Sequence, residues 1–96
     1  MQKQRRIVIT GVGAITPLGS EKKQIWSALC EGKSGIKPIT SFDTSAHEVH
    51  FGGEVSDFDP TKWFEIKEAR RLDRFAQFAV VAAIQAVEDA GLKLES

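Results

Sequence analysis

The 96-residue sequence has little cysteine, no excess of charge of either sign and no long apolar run. Its only cysteine is Cys30, so no disulfide can form within one chain, and nothing suggests a secreted, disulfide-stabilised scaffold. The 13 Lys and Arg residues balance 13 Asp and Glu residues. A net charge of zero argues against bulk attraction to nucleic acid or to an anionic membrane. We therefore expect no nucleic-acid partner and no membrane partner.

Two apolar segments are present, and neither has the pattern of a membrane or export signal. In the first, Gly11, Gly13 and Pro17 interrupt the run that follows MQKQRR, and no clean small-residue cleavage site follows. The second, from Phe75 to Val87, falls short of the roughly 20 apolar residues that a membrane span needs. A cytoplasmic location is therefore the expectation.

The second segment belongs to a predicted helix, Arg71–Ala90, that is apolar around nearly its whole circumference. Gln77 and Gln85 are the only polar residues in its central part. A surface helix shows a single apolar stripe, whereas a helix with this composition is covered by protein on most sides. The remaining residues are too few to cover the helix. In so short a chain, burial of apolar surface only just offsets the loss of conformational entropy, and an uncovered apolar helix makes this balance less favourable. We expect a chain that is incomplete as a stand-alone domain.

The residues before this helix predict an α/β fold. Arg6–Thr10 contains three consecutive β-branched residues, which is typical of a strand buried on both faces inside a parallel sheet. Ser20 is the predicted N-cap of a helix that runs to about Cys30. Gly32 and Gly91 are predicted to lie just past the ends of the two helices. A buried strand followed at once by a helix is typical of α/β proteins.

The middle of the chain has a weaker pattern. It is predicted to be irregular, with short extended pieces around Ile36 and Ile39. Phe51–Phe58 follows as a strand or edge segment weakened by two glycines. Asp59 and Pro60 then predict an N-cap and the first position of a short helix that carries two aromatic residues.

The glycine-rich stretch from Gly11 to Gly19 has the context of a dinucleotide-binding loop, because it follows a predicted strand and precedes a helix. The third small residue of that motif is missing, since Thr16 and Pro17 stand in its place. Pro17 also removes a backbone donor from the turn that would face a phosphate. A structural turn between strand and helix is favoured.

Three other residues raise the question of catalysis or metal binding. Cys30 lies near the predicted end of a helix and beside Glu31, where the local field opposes a thiolate, so a structural cysteine is favoured over a nucleophile. His47 and His50 have no third ligand at a useful spacing, which favours solvated loop histidines over a metal site. We expect no cofactor and no metal.

The basic residues ahead of the long helix carry the clearest functional signal. Lys67, Arg70, Arg71 and Arg74 have the spacing of one helical face. One interpretation is a solvated helix start, with Glu68 and Asp73 as local ion-pair partners. The other is a docking ridge for an acidic or phosphate-bearing partner, where such charges raise the association rate and fix orientation.

An ordered series of short motifs extends across nearly the whole chain and resembles the amino-terminal part of the β-ketoacyl-acyl-carrier-protein synthases, most closely the type II elongation enzyme of bacterial fatty-acid synthesis. No single motif is specific, but their order is. The series comprises Val8-Ile9-Thr10-Gly11, Gly13, Pro17, Gly19, Gly32, Ser34-Gly35-Ile36, Phe42-Asp43, Gly53-Glu54-Val55, Asp57-Phe58-Asp59-Pro60, Arg71-Leu72-Asp73-Arg74-Phe75 and Asp89-Ala90-Gly91-Leu92.

The resemblance implies a thiolase-like fold with layers in the order α/β/α/β/α, of which residues 1–96 form an amino-terminal fragment with one buried strand plus helices. It implies a homodimer that condenses malonyl carrier protein with an acyl chain held on a cysteine, assisted by two histidines and a lysine. Those residues lie in parts of the family chain beyond the position of Ser96. Cys30, His47 and His50 match none of them, so the fragment alone is expected to be inactive.

The resemblance also favours docking at three of the basic residues. Lys67, Arg70 and Arg71 fall where elongation synthases present basic residues to the acidic helix of acyl carrier protein, whereas Arg74 is not assigned to docking. Two alternatives stay open. One is a chain-length factor or a decarboxylating relative of the same fold, and the other is a small autonomous module that binds an acidic partner.

Overall fold

The computed structural model describes residues 3–93. These residues form three α-helices, a short 3₁₀-helix and a two-stranded sheet. In chain order they are α1 (Lys22–Cys30), β1 (Ile36–Pro38), β2 (Phe51–Gly53), the 3₁₀-helix (Pro60–Lys62), α2 (Ile66–Arg71) and α3 (Arg74–Ala90). No helix within the described part is both long and apolar enough to cross a membrane.

The predicted buried strand at Arg6–Thr10 is wrong for this structure. The segment forms no strand, and the side chains of Ile7 and Ile9 are 90% and 86% exposed. A strand needs a neighbour for its N–H and C=O groups, and within residues 3–93 the sheet consists of β1 and β2 alone. The β-branched residues therefore lie at the surface, because no strand within the described range pairs with them.

The sheet is a small antiparallel pair in the predicted irregular region. Ile36 lies opposite Gly53 and Pro38 lies opposite Phe51, which confirms an extended piece at Ile36. The backbone N–H of Ile39 donates to the carbonyl of His50 at 2.9 Å and continues the pairing. The second strand ends at Gly53, so the predicted Phe51–Phe58 segment is much shorter than expected.

Helix α1 begins later than predicted and ends as predicted. Glu21, not Ser20, occupies the N-cap position, and no side-chain hydrogen bond caps the helix there. At the other end Gly32 adopts φ +73°, and its N–H donates to the carbonyl of Leu29 at 3.0 Å. Glycine suits this left-handed position because it has no Cβ to clash with the backbone.

The Asp59-Pro60 signal is confirmed, but the helix that it starts is very short. The Asp59 carboxylate accepts hydrogen bonds from the N–H and the hydroxyl of Thr61, at 3.0 and 2.6 Å. These bonds lower the pKa of Asp59, because they favour its charged form. The 3₁₀-helix ends at Lys62, so Trp63 lies just beyond it and not within it.

The long helix is confirmed over most of its predicted length, although it begins at Arg74 and not at Arg71. Leu72 adopts an extended conformation, with φ −104° and ψ 132°, and separates α2 from α3. Gly91 takes φ +70° and caps the carboxyl end of α3, as predicted.

The segment Gly11–Ser20, here called the connecting segment, packs directly against α3. A Cβ built on Gly11 would lie 2.5 Å from the backbone nitrogen of Ala90, and one on Gly13 would lie 2.9 Å from that of Ala86. Only glycine permits so close an approach between a loop and a helix backbone. The glycines therefore serve helix packing, in agreement with the structural interpretation of this loop.

The apolar core of the described residues is small. Its buried apolar side chains are Ala28, Phe58 and Val81, while Phe75 on α3 remains 74% exposed. The radius of gyration is 17.4 Å, against ~12.5 Å for a compact domain of this length. The incomplete cover of α3 agrees with the expectation from its composition. The exposed apolar surface disagrees with an autonomous module, which predicts none.

Candidate docking surface

The candidate site lies on α2 and consists of Lys67, Arg70 and Arg71, here called the basic cluster. All three residues belong to this six-residue helix, and all three are exposed. Arg70 and Arg71 lie in its last turn, where positive charge also interacts favourably with the negative end of the helix dipole. The cluster therefore presents three cations to solvent from one short helix.

The ion pairs expected for a merely solvated helix start are not found in the described part of the chain. Among residues 3–93 the ion pairs are Lys22–Asp89 and Lys33–Glu31, and neither involves α2. Glu68 and Asp73, the predicted local partners, therefore leave the basic cluster without a counter-ion in the described part of the chain. Cations without internal partners are available for an external one.

Arg74 is separated from the basic cluster, so the predicted four-residue face does not exist. The break at Leu72 places Arg74 on α3. Its guanidinium donates to the carbonyl of Val55 at 2.9 Å and lies over the rings of Phe58 and Phe78, 5.6 and 5.2 Å from their centroids. Such contacts stabilise packing through the ring quadrupole. Arg74 therefore joins α3 to the loop before the 3₁₀-helix, apart from the basic cluster.

Gln77 fixes α2 against α3. Its side chain is buried, and its amide donates to the carbonyls of Ala69 and Leu72, at 2.9 and 3.4 Å. These carbonyls lie at the end of α2, where the usual helical partners run out, and that of Ala69 also accepts from the N–H of Leu72 at 3.3 Å. A buried amide needs such partners. Gln77 therefore joins α2, which carries the basic cluster, to α3.

An apolar recess opens beside the basic cluster. It has a volume of about 310 Å³. Its walls come from the turn before α2, from α2 itself, from the break and from α3, and the lining residues are Phe64, Glu68, Arg71, Leu72 and Val80.

Two α3 side chains hold the connecting segment in place. The Gln85 amide accepts from the N–H of Ala14 at 3.1 Å and donates to the carbonyl of Ser20. The Asp89 carboxylate accepts from the N–H of Val12 at 3.0 Å and pairs with Lys22. Both contacts, with that of Lys22 first, lower the pKa of Asp89 because they favour its charged form.

These polar residues were not identified as functional or structural contacts from the sequence. The available signal was the presence of Gln77 and Gln85 within an otherwise apolar helix. Buried polar side chains require hydrogen-bond partners, so their positions indicate where other segments approach the helix. The identity of those segments depends on long-range packing.

The other chemically interesting residues lie apart from the basic cluster. Cys30 is exposed at the last position of α1. The ring of His47 packs edge-on against Phe42 with a centroid distance of 5.9 Å, and His50 Nδ1 lies 3.0 Å from the hydroxyl of Thr44. Within the described part of the chain, no group of three or more His, Cys, Asp or Glu side chains is placed to hold a metal ion.

Comparison with known proteins establishes the family. The model of the β-ketoacyl synthase N-terminal domain matches residues 4–96. The chain therefore belongs to the β-ketoacyl synthase family, through its amino-terminal domain.

Relatives named 3-oxoacyl-[acyl-carrier-protein] synthase 2 are similar over nearly the whole chain. The protein from Synechocystis sp. is 52% identical over 94% of this chain and 22% of its own length. The Coxiella burnetii protein is 48% identical over 96% of the chain and 22% of its own length. The Staphylococcus aureus protein (strain COL) is 45% identical over 98% and 23%. The chain thus spans less than a quarter of the length of these curated relatives.

Two solved structures are also similar to nearly the whole of this chain, which again matches less than a quarter of each. The ishigamide ketosynthase/chain length factor has a TM-score of 0.81 at 38% identity, over 95% of this chain and 23% of that chain. A type II PKS acyl-carrier protein in complex with its ketosynthase bound to the hexaketide gives a TM-score of 0.66 at 30% identity, over 92% and 23%. Residues of this chain therefore fold like one part of a ketosynthase.

Proposed function

We propose that this chain is the amino-terminal part of a β-ketoacyl-acyl-carrier-protein synthase that elongates acyl chains in fatty-acid biosynthesis. The observation that carries the proposal is the identity of 45–52% to synthases of this name over 94–98% of the chain. In the proposed enzyme these residues belong to a thiolase-like fold of five alternating layers, and the enzyme is a cytoplasmic homodimer.

The proposed reaction is a decarboxylative Claisen condensation. An acyl group is held as a thioester on a cysteine, and malonyl carrier protein loses CO₂ to give a carbanion at the carbon next to its thioester carbonyl. That carbanion forms the new carbon–carbon bond at the acyl carbonyl, and the cysteine thiolate leaves. In the proposal the cysteine, two histidines and a lysine come from residues outside this sequence, and this chain contributes structure and partner binding.

The reaction itself is the direct test of the proposal. The intact synthase that contains this chain, supplied with acyl and malonyl carrier protein, is expected to release CO₂ and form 3-oxoacyl carrier protein, as followed by mass spectrometry. Residues 1–96 alone are expected to do neither. Decarboxylation without condensation by the intact protein would contradict the proposal.

A chain-length factor is the second candidate, favoured by the likeness to the ishigamide ketosynthase/chain length factor. Its fold is the same, but it is expected to lack condensation activity without a ketosynthase partner. The residue at the nucleophile position of the intact protein separates the two candidates, because a thiol there is required for the acyl thioester.

The proposed role of the basic cluster is to dock acyl carrier protein. The supporting observations are the exposure of Lys67, Arg70 and Arg71 and the absence of ion-pair partners for them among residues 3–93. Charges of this kind act mainly on the encounter rate and on orientation, through complementarity with an acidic partner surface.

Reversal of all three cluster charges to Glu in the intact synthase tests this role. We expect the KM for acyl carrier protein to rise about tenfold or more, because the reversed charges repel an acidic partner surface that the native charges attract. The KM for acyl-pantetheine, which lacks the acidic protein surface, should not change.

A matched variant controls for the change in net charge. Reversal of Lys3, Lys23 and Lys37 makes the same change at exposed positions outside α2. Equal effects of the two triple variants on carrier protein would contradict docking at the basic cluster.

A further inference from the structure

Helix α2 is too short to be stable through its own hydrogen bonds. It has six residues, and isolated helices shorter than about 12–15 residues are marginal in water. Its N-cap residue, Glu65, makes no side-chain hydrogen bond to it. The position of α2, and of the basic cluster that it carries, therefore depends on contacts from outside the helix.

Gln77 supplies such a contact in the last turn of α2, where two residues of the basic cluster lie. Its Nε2 donates to the carbonyls of Ala69 and Leu72, at 2.9 and 3.4 Å. These two carbonyls flank Arg70 and Arg71 in the chain. The two N–H donors of one amide group therefore restrain the backbone on both sides of the two arginines.

The Gln77 side chain is itself firmly held. It is 7% exposed, and its backbone N–H donates to the carbonyl of Asp73 within α3 at 3.0 Å. A buried amide that loses its acceptors has no water to replace them, so these bonds are costly to break. Further protein around this chain in the intact synthase can only bury the amide more deeply, and the contact does not depend on any exposed apolar surface.

The other end of the segment that carries α2 is attached to the same part of α3. The guanidinium of Arg74 donates to the carbonyl of Val55 at 2.9 Å. The ring of Phe58 packs edge-on against that of Phe78, with a centroid distance of 5.1 Å. Residues 55–72 are thus attached at both ends to the first two turns of α3, and α2 lies between the two attachments.

We propose that Gln77 is a positioning residue for the docking of acyl carrier protein, because its buried amide holds Arg70 and Arg71 in one arrangement before the partner arrives. This inference rests on the proposed docking function and adds to it a residue that contacts α2 and not the partner. Ordering of a loop or side chain on association weakens binding, so an arrangement that is fixed beforehand favours it.

The test replaces Gln77 with Met in the intact synthase, which keeps the length of the side chain and removes both donors. We expect the KM for acyl carrier protein to rise about fivefold, because α2 and its two arginines must then be ordered on binding. The kcat and the KM for acyl-pantetheine should not change, since that substrate lacks the acidic protein surface.

Gln85→Met is the matched control, because Gln85 is a glutamine of the same helix that also makes two hydrogen bonds to the backbone of another segment. Its partners are the N–H of Ala14 and the carbonyl of Ser20, away from α2. Both variants should lower the midpoint of denaturation, and only Gln77→Met should raise the KM for carrier protein. Equal KM values in the two variants would mean that Gln77 has no positioning role.

The charge reversals at the basic cluster separate this inference from the docking function. In the triple reversal, Gln77→Met should cause no further rise in KM, because no attractive contact is left to orient. An equal rise in both backgrounds, or a rise with the reversals and none with Gln77→Met, would overturn the positioning role and leave docking intact. A KM that the reversals do not change would overturn both.

Hydrogen exchange in the native synthase tests the same inference without any substitution. The N–H groups of Ala69 and Leu72 bond to carbonyls of Glu65 and Ala69, and that of Gln77 bonds within the first turn of α3. If the buried amide joins the two helices into one unit, the exchange rates at these three positions should be slowed to within about tenfold of one another. Faster exchange in α2 than this limit allows would show that α2 opens independently of α3, which contradicts the proposal.

Discussion

Two adjacent stretches of this chain, Arg6–Thr10 and the connecting segment Gly11–Ser20, are both rich in apolar residues and have opposite environments. Ile7 and Ile9 are almost fully exposed. The connecting segment instead packs against α3 through its glycines. Its backbone N–H groups donate to the side chains of Gln85 and Asp89, and one of its carbonyls accepts from Gln85. The difference teaches that apolar side chains do not by themselves bury a segment, because its backbone polar groups must also find partners.

The partners of the connecting segment come from one helix, whereas those of a strand must come from another strand. α3 supplies the side-chain oxygens of Gln85 and Asp89. Its small alanine side chains also let the glycines of the loop approach the helix closely. Arg6–Thr10 has the composition of a strand in a covered parallel sheet, and such a strand requires neighbours on both sides. Those neighbours are absent among residues 3–93.

The largest expected effect comes from Gly13→Val, which should separate the connecting segment from α3. Its side chain would clash with the carbonyl of Ala82 and with the backbone of Ala86. We expect the free energy of unfolding of the intact synthase to fall by ~3 kcal/mol or more, because two rigid backbones must move apart. Chemical denaturation measures this loss.

Gly52→Ala is the control for this prediction, since a Cβ there meets only ordinary contacts at 3.6 Å with Ile39. It should change the free energy of unfolding by less than ~1 kcal/mol. If Gly13→Val were as mild as this control, the close packing of the connecting segment on α3 would be refuted.

An intermediate effect is expected from Ile9→Thr, which asks whether the exposed stretch gains cover in the intact synthase. Ile9 is 86% exposed in the described residues, so a Thr there should be nearly neutral in this chain alone. In the intact synthase we expect a loss of ~2 kcal/mol in unfolding free energy, because an ethyl group is replaced by a buried hydroxyl.

The matched substitution for Ile9→Thr is Ile36→Thr, at a β1 position that is 55% exposed. It should have the smaller effect in the intact synthase. Equal losses at the two positions would mean that Arg6–Thr10 stays at the surface of the intact synthase too.

The smallest effect concerns the pH dependence of the polar contacts at Asp89. Its pKa is lowered in the folded chain, mainly by Lys22 and then by the N–H of Val12. The unfolded carboxyl therefore binds protons more readily, and the stabilisation is complete above its ordinary pKa of 3.8 and is lost as the pH falls through the lowered value.

Asp89→Asn should accordingly reduce the difference in stability between pH 6 and the acid range below the ordinary carboxyl pKa, as followed by denaturation at each pH. Asp57→Asn removes an exposed carboxylate that makes no hydrogen bond among the described residues and serves as the control. An unchanged acid dependence in Asp89→Asn would show that these contacts do not hold the connecting segment.

Local signals in the sequence predicted the helices better than the sheet. The Asp59-Pro60 start, the Gly32 and Gly91 ends and the bulk of α3 depend on residues within one or two turns of each other, and all are confirmed. The break at Leu72 was missed, because it is stabilised by the Gln77 side chain from the next helix. Helical spacing alone gave no indication of that contact.

For the candidate site, the sequence identified three residues that lie together and one that does not. Lys67, Arg70 and Arg71 share α2 because they are close in sequence. Arg74 follows at helical spacing but contacts Phe58 and Phe78, which only packing brings near it. The recess was not foreseen, because its wall combines residues from four separate segments.

The order of short motifs along the sequence was sufficient to determine the family of this chain, since family membership is a property of residue identity and order. Local residue chemistry likewise determined the carboxyl ends of α1 and α3, which are followed by Gly32 and Gly91. Only the tertiary structure decided which polar side chains hold the connecting segment, where Arg74 points and which apolar residues stay exposed. Those features depend on contacts between residues far apart in the chain, such as Val12 with Asp89 and Ser20 with Gln85, and no local pattern encodes which segments will meet.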